Sequence, residues 1–217
     1  MLGPPGAGKG TQAARFARER GLPKISTGDI LRESIREKLP VALAGKAKMD
    51  RGELVDDDTM VAIVRGRLSR SDTKPGFVLD GFPRTVGQAR ALDVLIGERG
   101  NGPLVIADIV VPEEELVRRL ASRRICSKCG TNADPFDTDP ASACKRCGGQ
   151  LEQRSDDGDK VVLERLKVYH RDTRPLEEYY RERPTFRVVN GAQPPERVAH
   201  ELDAMIDDAA AVGGAVA

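Results

Sequence analysis

With 217 residues, 39% of them hydrophobic and 32% charged, the chain is long enough for one packed core with small insertions and needs no disulfide staples. Thirty-five basic residues against 34 acidic ones leave a net charge of +1, too even for a protein that works by coating nucleic acid or an anionic membrane. The apolar runs, such as Leu104–Ile106 and Ile109–Val111, are far too short to span a bilayer, and Gly3, Pro4 and Pro5 interrupt the place where an export signal would run, so a cytoplasmic location is expected.

In chain order, the first element is the glycine-rich turn Gly3–Gly10, followed by a helix from about Thr11 to Arg20. Short β-rich runs follow at Lys24–Ser26, Phe77–Leu79, Leu104–Val111 and Phe186–Val189, each bounded by Gly, Pro or Asp. Glu113–Arg124 reads as a helix with acids in its first turn and arginines in its last, matching the helix dipole. Strands alternating with helices predict an α/β fold, a parallel sheet covered by helices on both faces. Two segments interrupt the alternation: Ile30–Val64 is largely helical, and Ser122–Asp157 is rich in Gly, Asp, Pro and Cys. Both read as insertions from one core. Met1-Leu2 is too short for a full central strand, which usually needs about five residues, so the first strand is expected to be cut short. The small-residue tail Ala209–Ala217 is expected to fray.

Gly3-Pro4-Pro5-Gly6-Ala7-Gly8-Lys9-Gly10-Thr11 contains G-x-x-x-x-G-K directly before a helix. Glycines let the backbone turn its N–H groups onto an anion, the helix adds its positive end, and Lys9 adds a mobile cation. The bland reading is an ordinary glycine turn. Thr11 sits one position later than the generic pattern, so its hydroxyl need not play the usual magnesium role. With Gln12, the string resembles the start of the adenylate kinases. Three further segments resemble the same family: Ser26-Thr27-Gly28-Asp29, Leu79-Asp80-Gly81-Phe82-Pro83-Arg84-Thr85, and the cysteine segment. The likeness runs in order from residue 1 to about Pro194.

That resemblance implies a P-loop core (1–25, 56–121 and 158–217), a helical insertion that binds the nucleoside monophosphate (26–55), and a zinc-bearing lid (122–157). It also implies a monomer that binds ATP, AMP and ADP, with no nucleic acid or membrane partner. On the ATP side it puts Gly6, Ala7, Gly8, Lys9, Gly10 and Thr11, with Arg119, Arg123, Asn132, Ala133 and Gln193. On the AMP side it puts Thr27, Arg32, Glu53, Leu54, Val55, Gly81, Phe82, Pro83, Arg84 and Gln88. Asp80 would order water around Mg²⁺. Read by themselves, Asp29 is a helix cap ahead of Ile30 and Arg32 a surface charge. Gln88 offers one amide donor and one acceptor, a pair that suits the edge of adenine; uracil and guanine present different edges.

Phosphoryl transfer needs two nucleotides in line and cations on the oxygens of the moving group. Arginine suits this because it stays charged and bonds two oxygens at once. Lys9, Arg84, Arg123, Arg154 and Arg165 are the catalytic candidates, with Arg154 and Arg165 matching the family pair that reaches both phosphate chains. Cys126-x-x-Cys129 and Cys144-x-x-Cys147, fourteen residues apart and each followed by a glycine, favour a four-thiolate structural Zn²⁺ over disulfides. The reaction expected is ATP + AMP ⇌ 2 ADP with Mg²⁺, by direct transfer under a lid hinged near Ser122 and Asp157. Nearer rivals are another nucleoside monophosphate kinase or a GTP-using enzyme. A different class, a zinc ribbon that binds nucleic acid, is disfavoured because Ser122–Asp157 balances six Lys/Arg with six Asp/Glu and has Phe136 as its sole aromatic. His170 and His200 have no partner pattern and read as structural or surface residues.

Overall fold

Two pairs of parallel strands carry the core. β1 (Lys24–Ser26) pairs with β2 (Val78–Asp80), Ile25 opposite Leu79, and β3 (Ile106–Val110) pairs with β6 (Phe186–Asn190), Asp108 opposite Val188. Residues 1–2 join the two pairs. The Met1 amine donates to Leu79 O at 2.8 Å, Leu2 N donates to Ala107 O at 2.7 Å, and Ile109 N donates to Leu2 O at 3.1 Å. The short first strand expected from Met1-Leu2 is thus present as a single bridge residue, Leu2, paired in parallel with Asp108. The computed structural model describes residues 1–37, 40–100, 102–133 and 143–214; Phe136 and the rest of 134–142 lie outside the described residues.

Nine helices are described: α1 (Lys9–Glu19), α2 (Thr27–Arg36), α3 (Pro40–Asp50), α4 (Asp57–Leu68), α5 (Val86–Arg99), α6 (Glu113–Ser122), α7 (Asp159–Val168), α8 (Pro175–Arg181) and α9 (Pro195–Gly214). On one face of β3 and β6, Ala107, Ile109 and Val189 pack with Leu116 and Leu120 of α6, Leu166 of α7 and Leu202 of α9. Ile25 and Leu79 of the other pair pack with Met60, Val64 and Leu68 of α4 and Leu92 of α5. Successive strand residues feed opposite faces, and in β3 four residues in a row, 106–109, are buried. Among the described residues no helix is long and apolar enough to cross a membrane.

Three local expectations are corrected. Asp29 does not cap α2: it is the third residue of that helix, and its N–H donates to the cap, Ser26 Oγ, at 3.3 Å. Its carboxylate pairs with Arg32 and Lys24 instead. The helix from Glu113 stops at Ser122, because Arg123 turns to extended backbone and Arg124 opens β4 (Arg124–Cys126). The tail is helical to Gly214, with Ala209 fully buried, since a small side chain permits close helix contact. Residues 215–217 lie outside the described residues. The cysteine segment also contains a ladder that its composition hides: β4 pairs antiparallel with β5 (Leu151–Gln153).

Candidate active site

The glycine turn bends as its sequence demands. Gly3, Gly6 and Gly8 all have positive φ (126°, 86° and 91°), a backbone region closed to most side chains. Gly8 leads into α1 without a side-chain cap, so the first-turn N–H groups are left for an anion and the dipole. Lys9 folds back over the turn, its Nζ donating to Gly3 O and Pro4 O at 2.7 Å each. Burial pushes the ammonium down to about 7, with Asp80 opposing and Arg84, Arg165 and Arg123 adding to the fall. A buried lysine held by neutral carbonyls beside arginines is short of negative charge, and a polyphosphate is a ligand that would supply it.

One cavity at the carboxyl ends of β1 and β2 is lined by Lys9, Arg32, Arg84, Arg154 and Arg165, with Asp156 among them. This is where open α/β sheets bind ligands. The arginines crowd one another. Burial lowers the pKa of Arg84, and Arg32 and Arg154 lower it further against the pull of Asp80. Arg165 falls to about 10, first through burial, with Arg123 and Arg154 repelling it and Asp156 holding it up. Two aspartates that the sequence reading missed keep the set together. Arg154 forks onto Asp156 at 2.9 and 2.8 Å. Arg123 Nε donates to Asp157 Oδ2 at 2.6 Å, and Arg165 donates to Asp157 Oδ1 at 2.7 Å and to Asp156 O at 2.9 Å. Asp157 is wholly buried. The available signal was the acid pair itself, beginning two residues after Arg154 and ending eight before Arg165.

The opposite wall comes from the helical insertion and the turn after β2. Thr27, Gly52, Glu53, Leu54, Val55, Gly81, Pro83 and Gln88 face the same cavity. Thr27 Oγ1 donates to Gly81 O at 2.9 Å, tying the start of α2 to that turn. Gly52 approaches α7 so closely that a Cβ there would stand 2.9 Å from Arg165 Cγ and 3.0 Å from Val161 O. The side chain of Phe82 is buried in the core instead, and Glu53 spends its carboxylate on Arg51 at the surface. Asp80 sits at the edge of the glycine turn: a Cβ on Gly10 would lie 3.1 Å from its Oδ2. Tyr169 and Thr173, also missed, line the far end in a short π-helical turn.

A family model described as "Adenylate kinase" matches residues 1–185. The chain is 44% identical to the adenylate kinase of Archaeoglobus fulgidus over 209 residues, 95% of this chain and 96% of that one. It is 46% identical to that of Symbiobacterium thermophilum over 204 residues, 93% and 94% of the two chains. The adenylate kinase of Geobacillus sp. (strain WCH70) is 44% identical over the same length and shares. The chain belongs to the adenylate kinase family. It is therefore a nucleotide-binding transferase of nucleoside monophosphate phosphoryl transfer, a family that binds ATP, AMP and ADP.

Within that family its cysteine segment fits the long-lid, zinc-bearing type. The four Sγ atoms of Cys126, Cys129, Cys144 and Cys147 lie within 4.8 Å of one another, with Cys126–Cys147 at 3.5 Å and Cys129–Cys144 at 3.6 Å. Zn–S bonds of about 2.3 Å in a tetrahedron put sulfurs about 3.8 Å apart, so the donors present suit that ion. Gly130 and Gly148 close the two turns, each N–H donating to the carbonyl of the first cysteine (2.9 and 2.7 Å). Other residues expected at the site from the sequence stand outside the cavity. Arg119 pairs with Glu115 one helical turn away at 2.7 Å, and Gln193 donates to Glu201 at 2.8 Å. Asn132 and Ala133 run beside β4, Ala133 N donating to Arg124 O at 2.9 Å. His170 meets Glu113 at 3.3 Å and the edge of the Tyr169 ring, and lies at the surface.

Asp156 gives this adenylate kinase a measurable acid sensitivity. Burial works to raise its carboxyl, but Arg165 and Arg154 outweigh it and hold the group at about 2 against an ordinary 3.8. A depressed folded value means stabilisation that is present above about pH 4 and lost as the pH falls toward 2, about 2 kcal/mol in all. Denaturant unfolding from pH 5 to 2 should show the parent chain losing about that much more than Asp156→Asn; equal losses would remove the assignment.

Proposed function

We propose that the chain catalyses ATP + AMP ⇌ 2 ADP by direct in-line transfer. An oxygen of the AMP phosphate attacks the γ-phosphorus of ATP, the bond from that phosphorus to the β–γ bridging oxygen breaks, and ADP leaves without a phosphoenzyme. What carries this reading is the shared cavity that holds Lys9, Arg32, Arg84, Arg154 and Arg165 between the glycine turn and the Thr27–Gln88 wall. In this reading the turn and Lys9 hold the ATP phosphates, Thr27 and Arg32 hold AMP with the backbone of 53–55, and Gln88 meets its base. Arg84, Arg123, Arg154 and Arg165 take the equatorial oxygens as charge moves between the nucleotides. Asp80, beside Gly10, would order water on the Mg²⁺ that accompanies ATP; that ion screens phosphate charge when bound.

Residues 26–55 and 122–157 act as two flaps on the core, closing so that water does not replace AMP as acceptor. The lid holds a structural Zn²⁺ through four thiolates, which leave no open coordination position. Among the described residues its buried cluster adds only Leu151 and Ala133 to the cysteines, so metal supplies cohesion that this small cluster does not.

Kinetic and metal measurements check these proposals. ADP formation from ATP should be fastest with AMP among AMP, UMP, CMP and GMP, and Lys9→Met should lower turnover on the order of 10²–10³; a variant retaining most of its rate would contradict the role of Lys9. Metal analysis should find one zinc per chain, and chelation should lower the Tm by roughly 5–10 °C. A metal-free chain with an unchanged Tm would dismiss the structural zinc.

A further inference from the structure

Gln88 is 1% exposed, and both ends of its amide are engaged. Its Oε1 accepts from the Arg84 backbone N–H at 2.8 Å, and its Nε2 donates to Asp57 Oδ1 at 2.8 Å. The other oxygen of Asp57 accepts from Thr85 Oγ1 at 2.7 Å, and Thr85 Oγ1 caps α5 by accepting from Gln88 N at 3.1 Å. Gly87 makes room for this contact, since a Cβ there would stand 2.8 Å from Asp57 Oδ2. Asp57 lies in the first turn of α4 and Gln88 in the first turn of α5, so two helix starts are tied through one carboxylate.

The polarity of those contacts has a chemical consequence. A free primary amide presents a donor and an acceptor, and rotation by half a turn exchanges them. Adenine offers a 6-amino donor beside the N1 acceptor, whereas hypoxanthine offers a 6-oxo acceptor beside an N1–H donor. An amide free to turn satisfies either base. An amide held between a backbone N–H, which only donates, and a carboxylate, which only accepts, has one orientation. We infer that Asp57 is a specificity-determining positioning residue: by accepting from Gln88 Nε2 it locks the amide and so selects a 6-amino over a 6-oxo purine monophosphate as acceptor.

The inference rests on the proposal that Gln88 meets the acceptor base, and the test separates the two. The ratio of kcat/KM for AMP to that for IMP, with ATP as donor, is measured for the parent, Asp57→Ala, Asp57→Asn and Gln88→Ala. Asp57→Ala should lower the ratio roughly ten- to hundredfold, the range of one paired base contact, with the change carried mainly by KM. Asp57→Asn keeps the shape but brings a second amide that turns either way, so it should lower the ratio by a smaller factor. A merely structural role would reduce both substrates together and leave the ratio alone. If Gln88→Ala collapses the ratio while folded Asp57→Ala leaves it unchanged, the role of Asp57 is overturned and that of Gln88 stands. If neither changes it, the base-reading role of Gln88 falls as well. Should Asp57→Ala not fold, an unchanged ratio in Asp57→Asn overturns the inference by itself.

Discussion

Like charges in a buried space define this molecule. Lys9, Arg32, Arg84, Arg154 and Arg165 share one cavity, and two unit charges 4 Å apart near a protein surface interact by about 4 kcal/mol. The downward shifts at Lys9, Arg84 and Arg165 come first from lost hydration, with repulsion from the neighbouring cations adding to it. Such a set persists only with counter-charge supplied. Asp156 and Asp157 supply it by taking the forks of Arg154 and Arg123 and one nitrogen of Arg165, and the carbonyls of Gly3 and Pro4 hold Lys9. A phosphate chain offers those same cations better acceptors and more negative charge.

The supporting architecture follows from that requirement. β1 and β2 end at Ser26 and Asp80, so the turns after them, with Thr27 and Arg84, open onto one cavity. α1 begins there uncapped. The two aspartates belong to the connection between β5 and α7, the return path from the cysteine segment, and Gln153 of β5 donates to Asp157 O at 3.1 Å. In the proposed cycle, exchange of carboxylates for phosphates therefore acts on the strand that leads out of the lid. Lid position and arginine charge become parts of one equilibrium.

Much of this was legible in the sequence because it is local. Lys24–Ser26 is both the expected run and the observed strand, and the order of glycines, Lys9 and helix is dictated by how backbone wraps an anion. The paired C-x-x-C units likewise carry their geometry in their spacing. What stayed hidden depends on partners distant in sequence or on a choice between equivalent helix positions. Gln88 and Asp57 are separated by 31 residues, and no spacing rule says which amide atom faces which group. Ser26 rather than Asp29 caps α2 because the helix starts three residues earlier than the apolar pattern indicates. Arg119 was placed on the ATP side by resemblance, and here it pairs with Glu115 four residues back on one helix, a helical spacing that the sequence reading did not use.

The exchange of carboxylates for phosphates is tested most directly by a crystal structure with diadenosine pentaphosphate, a mimic of both substrates joined. The account predicts Lys9 lifted from Gly3 O and Pro4 O, with the guanidinium groups of Arg84, Arg123, Arg154 and Arg165 within hydrogen-bonding distance of phosphate oxygens. Phosphates bound elsewhere, with Arg123 and Arg154 still forked onto Asp157 and Asp156, would contradict it.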